Sequence, residues 1–298
     1  MRIATNTVSD NIVRQIQQLT SQQAKLQNQV ATGQRISEPS DDPAAVGRVL
    51  NLESERRQLA QYGNNASRAL EISQATSSGL QGIKTISDRA GQLATLGTGA
   101  AGTASMQAYG TEADQLIEQA VQLANTRFNG DYVFAGTAVS APPLNVVRDV
   151  NGKITSVTYV GNAAQAAIPL SEAASVSPSS SGATNSGLAD FVTNLIAMRD
   201  ALNAGDPTAL AATQPALTTS EDLVVSAIAD NGGVQTRIEA SKSQQADRMT
   251  SLDSLVSSET DADMPSTIVK LTQTQTAYQA ALQSAASIMH LSLLDYLK

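Results

Sequence analysis

ATGQRISEPSDDPAAVGRVL, residues 31–50, holds the one join that organises this chain. A glutamine-rich helical pattern runs into Gly33, the residue type that accepts the left-handed conformation at a helix end. A loop without aromatic residues follows. It closes on Ser40-Asp41-Asp42-Pro43, after which a much longer helical pattern begins. Two adjacent aspartates invite a reading as a site. The flanking residues favour punctuation. Asp42 stands where a carboxylate accepts from the free amides of the next helical turn, and Pro43 stands at the first helical position, where its missing N–H costs nothing.

Upstream of this join, Ile12, Ile16, Leu19, Leu26 and Val30 are spaced by 4, 3, 7 and 4 residues. That is a heptad seam on an otherwise polar, uncharged helix. Downstream, a second helix is expected from Pro43 towards Leu96, with Val49, Leu52, Leu59, Ala66, Leu70, Leu80, Ile83, Ala90 and Leu93 on its seam. The register shifts near Gly79, where a kink or a change of partner is expected. A third helix carries Met106, Tyr109, Ala113, Leu116, Ala120 and Leu123 in steps of 3 and 4.

The pattern then changes character. Asn129-Gly130 is a hairpin turn signal followed by a strand at 131–134, and a second hairpin is expected around Asn151-Gly152. Residues 171–187 read as a linker. Helices return at Leu188–Ala204 and at about Pro207–Asp230. Asn231-Gly232-Gly233 reads as a break, with a further helix from Val234 to about Ser258. The last helix is expected from near Pro265. Its seam is Ile268, Leu271, Gln275, Tyr278, Leu282, Ala285 and Met289, the most regular period in the chain.

The fold class that follows is mainly α: a long antiparallel helical rod, N- and C-terminal helices paired, with a small β-containing central insert. The expected division is an N-terminal helix (1–42), two helical rod segments (43–137 and 188–263), the insert (138–187) and a C-terminal helix (264–298). The terminal helices are short of apolar surface. Each buried Leu or Ile contributes roughly 1.5–3 kcal/mol, against about 1–2 kcal/mol per residue to order the backbone. They are expected to gain order only against neighbouring copies.

Composition excludes several classes. The 298 residues include no Cys, no Trp and one His, with 3% aromatics and a formal net charge of −8. Without cysteine there are no disulfides, thiolate nucleophiles or thiolate zinc sites. Residues 1–140 balance 11 Lys/Arg against 12 Asp/Glu, whereas 188–298 carry 6 against 13. No basic stripe exists for nucleic acid. No run approaches the ~18 apolar residues of a membrane helix, so no membrane insertion is expected. Met1-Arg2-Ile3-Ala4-Thr5-Asn6 leads into polar residues rather than the apolar core of a cleaved signal.

The remaining candidate chemistry reduces to structure. Gly97-Thr98-Gly99-Ala100-Ala101-Gly102 matches G-x-G-x-x-G, but a helix precedes it instead of the strand a dinucleotide site requires. His290 has no Cys or second His nearby to make a metal site or triad. Asp261-Ala262-Asp263 lacks the glycine and distal glutamate of a calcium loop and reads as a cap before Pro265. No acid–base constellation is assembled, so no enzyme and no cofactor are expected.

ATGQRISEPSDDPAAVGRVL resembles the N-terminal motif of the bacterial flagellin family: a helix, an S-G-x-R-I-like turn (here Thr32 replaces the serine) and an S-x-D-D segment opening a long helix. LANTRFNGDYVFAG (123–136) is similar to that family's passage into a β-hairpin, and residues 259–297 to its C-terminal helix. The likeness covers 1–140 and 231–298. MRIATN, EPSDDP, DYVFAGT and LSLLDYLK resemble the hook–filament junction members more than the filament subunits. The resemblance implies a structural subunit of the flagellum, exported unfolded by the type III route and assembled through its terminal helices. It also implies the partners: further copies of itself in a ring or tube, the first hook-associated protein, flagellin and an export chaperone. Gly33, Arg35, Asp41, Asp42 and Pro43 would form the turn between inner and rod helices, with the two aspartates free for contacts between subunits. A filament subunit and a non-flagellar helical secretion protein remain the alternatives.

Overall fold

The computed structural model describes the backbone of residues 2–99 and 102–296, and side chains over 10–99 and 102–287. Six helices dominate: α1 (Arg2–Thr32), α2 (Pro43–Thr98), α3 (Thr103–Ala124), α4 (Gly182–Ala204), α5 (Pro207–Thr260) and α6 (Met264–Tyr296). Six short strands lie between α3 and α4 and pair as three antiparallel hairpins: β1 (Arg127–Phe128) with β2 (Asp131–Tyr132), β3 (Leu144–Arg148) with β4 (Ile154–Tyr159), and β5 (Ile168–Pro169) with β6 (Ser175–Val176). The chain forms two compact units. One combines the residues up to Gln58 with those from Arg248 onward; the other is Leu59–Asp247.

The central unit owns the thick core. Phe134, Phe191, Leu80, Ile83, Leu93, Met106, Ile117, Leu195 and Met198 are fully buried there. The seams expected on α2 and α3 supply much of it, because their 3–4 spacing puts one apolar stripe on each helix. α2 is uninterrupted at Gly79. A Cβ there would lie 2.8 Å from the ring of Phe134, so the register shift marks the place where α2 takes an aromatic partner. β4 packs on α3 and α4. Buried Arg199 fastens it, donating to the Ile154 carbonyl at 2.7 Å while pairing with Asp114 at 3.1 Å. The Asn125 side chain completes the edge of β3 by exchanging two hydrogen bonds with the Leu144 backbone.

Local signals explain most element ends. Asn129 (φ 51°) and Gly130 (φ 94°) make the tight turn of β1–β2, a turn that needs positive φ at both positions. Asp149 accepts from the amides of Asn151 and Lys153 and shapes the β3–β4 turn. Ser181 accepts from the Thr184 amide and caps α4.

Three expectations fail here. The 171–187 linker contains β6, and its last residues open α4 at Gly182 rather than Leu188, because Ser181 supplies the cap. The strand expected at 131–134 pairs only over 131–132; Val133 and Phe134 turn into the core. The break at Asn231-Gly232-Gly233 does not occur, since α5 passes through it.

The terminal unit is thinner. Among its described residues the buried apolar side chains are Leu26, Ala45 and Leu252, joined by buried Thr267 and Thr274. Each threonine donates its hydroxyl to a carbonyl one turn back in its own helix, Asp263 and Lys270 respectively.

Candidate functional site

The terminal unit is built on the pairing of α1 with α6. The two run antiparallel, because the C-terminal end of α1 meets the N-terminal end of α6 through an isolated bridge between Gln34 and Asp261. On α1, Leu26 is buried and Ile12, Ile16, Leu19 and Val30 are half-buried. On α6, Leu271, Tyr278 and Ala285 are half-buried, and the fully covered positions are Thr267 and Thr274. Ile268 and Leu282 face outward, 48% and 43% exposed, beside Val269 at 56%; Val13 on α1 is 52% exposed. The stripe that α6 presents to α1 is therefore rotated by about one residue from the heptad positions, and part of its apolar surface has no cover within the chain. The side chains of Met289 and His290 lie outside the described residues.

The turn after α1 is held residue by residue. Gly33 ends the helix at φ +72°, its amide donating to the Gln29 carbonyl at 2.9 Å. Asp42 Oδ1 accepts from the Ala45 amide at 3.0 Å, the cap that the sequence called for, with Pro43 opening α2. Its other oxygen takes Arg35 Nη1 at 3.1 Å. Asp41 meets Lys25 at 2.7 Å and accepts from the amides of Ser37 and Glu38 at 3.0 and 3.1 Å. Both aspartates are thus engaged inside the chain.

Arg35 joins this loop to the α5–α6 turn. Its amide donates to the Thr260 carbonyl and its Nη2 to the Glu259 carbonyl, each at 2.7 Å. Ala262 donates back to the Gly33 carbonyl at 2.8 Å. Glu259 in turn accepts a two-pronged contact from Arg48, both bonds at 2.8 Å. A bidentate pair fixes orientation as well as distance. Asp261 accepts from the hydroxyls of Ser257 and Thr260, and the Asp263 carbonyl opens α6 by accepting from Thr267.

These contacts set the electrostatics. The Lys25 ammonium, with the Ser37 and Glu38 amides, holds the Asp41 carboxyl down to about 2. The Ala45 amide and then Arg35 lower Asp42. Arg48 lowers Glu259 and is itself raised by it. The carboxylates are committed to ionised, hydrogen-bonded structural roles. Among the described residues no group of three His, Cys, Asp or Glu converges as a metal site, and no helix is long and apolar enough to cross a membrane.

Sequence reasoning brought Gly33, Arg35, Asp41, Asp42 and Pro43 to one turn, where the structure places them. It missed Lys25, Arg48 and Glu259. Lys25 carries a weak signal, a cation two turns before a helix end. Arg48 and Glu259 are 211 residues apart, and nothing local announces their pairing.

Residues 3–139 match the bacterial flagellin N-terminal helical region. Flagellar hook-associated protein 3 of Salmonella typhimurium is 29% identical over 147 residues, which are 49% of this chain and 46% of that protein. Flagellar hook-associated protein 3 of Escherichia coli is 26% identical over an alignment of 325 positions that spans 100% of both chains. A putative flagellar hook-associated protein of Vibrio parahaemolyticus has the same fold, with a TM-score of 0.66 at 17% identity over 74% of this chain and 100% of that one. Sequence match, full-length alignment and fold agree with the turn and helix pairing described above: the chain is similar to the bacterial flagellin family and, within it, to flagellar hook-associated protein 3.

Proposed function

We propose that the chain is a structural subunit of the bacterial flagellum, a junction protein that adapts hook to filament and assembles through its terminal helices. The observation that carries this reading is the outward apolar surface of the α1–α6 pair. Val13, Ile268, Val269 and Leu282 remain roughly half exposed after the pair has closed on itself. A helix pair with a filled inner seam and a second apolar face is suited to packing among copies. Largely uncharged α1 allows that packing without like-charge repulsion. The partners on this reading are further copies, the first hook-associated protein on one side and flagellin on the other. A subunit with different upper and lower faces propagates through heterologous contacts, which close into a ring only if the rotation closes. Export unfolded, with a chaperone shielding the terminal helices, fits a terminal unit with so small a core of its own.

Immunogold labelling of isolated hook–filament structures tests this directly. A narrow band where hook meets filament is expected. Label along the whole filament would make the chain a filament subunit and overturn the junction role.

A further inference from the structure

Most helical glycines of the central unit are required by packing. A Cβ at Gly82 would lie 2.8 Å from Leu123, at Gly97 2.5 Å from Leu210 and at Gly187 2.8 Å from Leu223. Gly232 and Gly233 differ. A Cβ at either would meet nothing within 4 Å, and neither has a positive φ. Gly91 is equally open but stands alone. The adjacent pair makes no contact that alanine would disturb, yet each glycine disfavours the helical form about two- to fivefold relative to alanine.

Their neighbours show what keeps α5 continuous. Asn231, 6% exposed, accepts from Ser73 Oγ of α2 at 3.2 Å and from Gln235 at 2.9 Å, and donates to the Pro178 carbonyl at 3.4 Å. One turn on, Thr236 donates its hydroxyl to the Gly232 carbonyl at 3.0 Å, a back-bond that loosens a helix. A cleft of about 370 Å³ borders this stretch, lined on the helix side by Asp230, Asn231, Val234 and Arg237. The local sequence encodes a helix stop, Asn-Gly being a C-terminal cap signal. Buried Asn231 opposes it through its tertiary contacts, and Gln235 adds a donation to the Ser73 carbonyl at 3.3 Å. Such a conflict between local and global preference marks an element with two accessible arrangements.

We propose that Asn231-Gly232-Gly233 is a built-in switch point of α5. In the second arrangement the helix ends at Asp230, restarts at Val234, and the Asn231 side chain leaves Ser73 and Pro178. The device belongs to the central unit and does not depend on which neighbours the chain takes in the flagellum.

Hydrogen exchange of the purified full chain, read as protection factors along α5, tests it. In the wild type, amides 229–236 are expected to be at least tenfold less protected than those at 218–226 and 239–246. Gly232→Ala/Gly233→Ala, which fits the structure without a clash, should raise protection at 229–236 by about 5- to 30-fold and leave the flanks unmoved. Asn231→Ala, which removes the pin, should lower it at the same amides. Equal protection along α5 in the wild type would overturn the proposal. So would a double-alanine gain spread evenly over 210–247, because the glycines would then open only with the whole unit.

Discussion

Leu282 offers the sharpest separation of folding from assembly. It lies midway along α6 and is 43% exposed in the chain by itself. Substitution should therefore leave the isolated protein almost as stable as before, since surface changes away from special features stay within about 0.5 kcal/mol. If copies cover this face, the exposed part of the leucine, on the order of 75 Å², becomes buried and contributes about 2 kcal/mol per copy. Leu282→Ala should forfeit most of that and raise the threshold concentration for assembly on isolated hooks that carry the first hook-associated protein about 10- to 30-fold, at about 1.4 kcal/mol per decade. Leu282→Asp places a carboxylate on a face that assembly would bury, and the desolvation penalty of several kcal/mol should push the threshold beyond reach. The assay pairs a thermal melt of each purified variant with electron microscopy of hooks incubated over a concentration series. Wild-type capping by Leu282→Asp would refute the reasoning. So would a melt lowered enough to show that Leu282 is already buried in the monomer.

Other predictions follow from the turn and the core. Arg35→Ala removes bonds to Asp42 and to the Glu259 carbonyl. It should destabilise the turn by about 1 kcal/mol, because the pair is partly exposed, and speed proteolysis at 33–43. Asp41, Asp42 and Glu259 all have lowered pKa values in the folded chain. Their stabilisation is complete above the ordinary carboxylate pKa of about 4 and is lost as pH falls from there, towards about 2 for Asp41. The protection factors of the Ser37 and Glu38 amides, referred to the intrinsic exchange rate at each pH, should fall through that window, and Asp41→Asn should remove most of the dependence. Gly79→Ala drives a methyl against Phe134 and should cost about 1–3 kcal/mol in a melt. Gly91→Ala, open on all sides, should instead stabilise by about 0.5–1 kcal/mol.

Period and punctuation carried the fold. The seams of α2 and α3 lie on the buried stripe because apolar side chains at 3–4 spacing have nowhere else to go. Asp42-Pro43 opened α2 because its capping bond is local to four residues. The early start of α4 is a local cap at Ser181 that the sequence reading passed over; in the other failures tertiary contacts outweighed local preference. Asn231 spends its amide on Ser73 and Pro178, and so α5 continues through two glycines. In α6 the heptad pointed to Ile268, yet Thr267 faces inward, because a threonine bonded to its own helix packs against α1 more closely than a bulky aliphatic. The turn was legible as a turn. Its fastening to Glu259 and Thr260 was not, because a charge pair 211 residues apart leaves no periodic trace.

The threonines of α6 have a further consequence. Thr267 and Thr274 satisfy their hydroxyls in their own turns, so they ask nothing directional of whatever lies opposite. Interlocking leucines would admit one register and one mate. A surface of small, internally content side chains is permissive: it can slide by a fraction of a turn, or meet a different sequence, without orphaning a polar atom. Tolerance of that kind lets α6 and α1 adjust to each other within the chain, and it arises from side chains that would otherwise pass as a weak core.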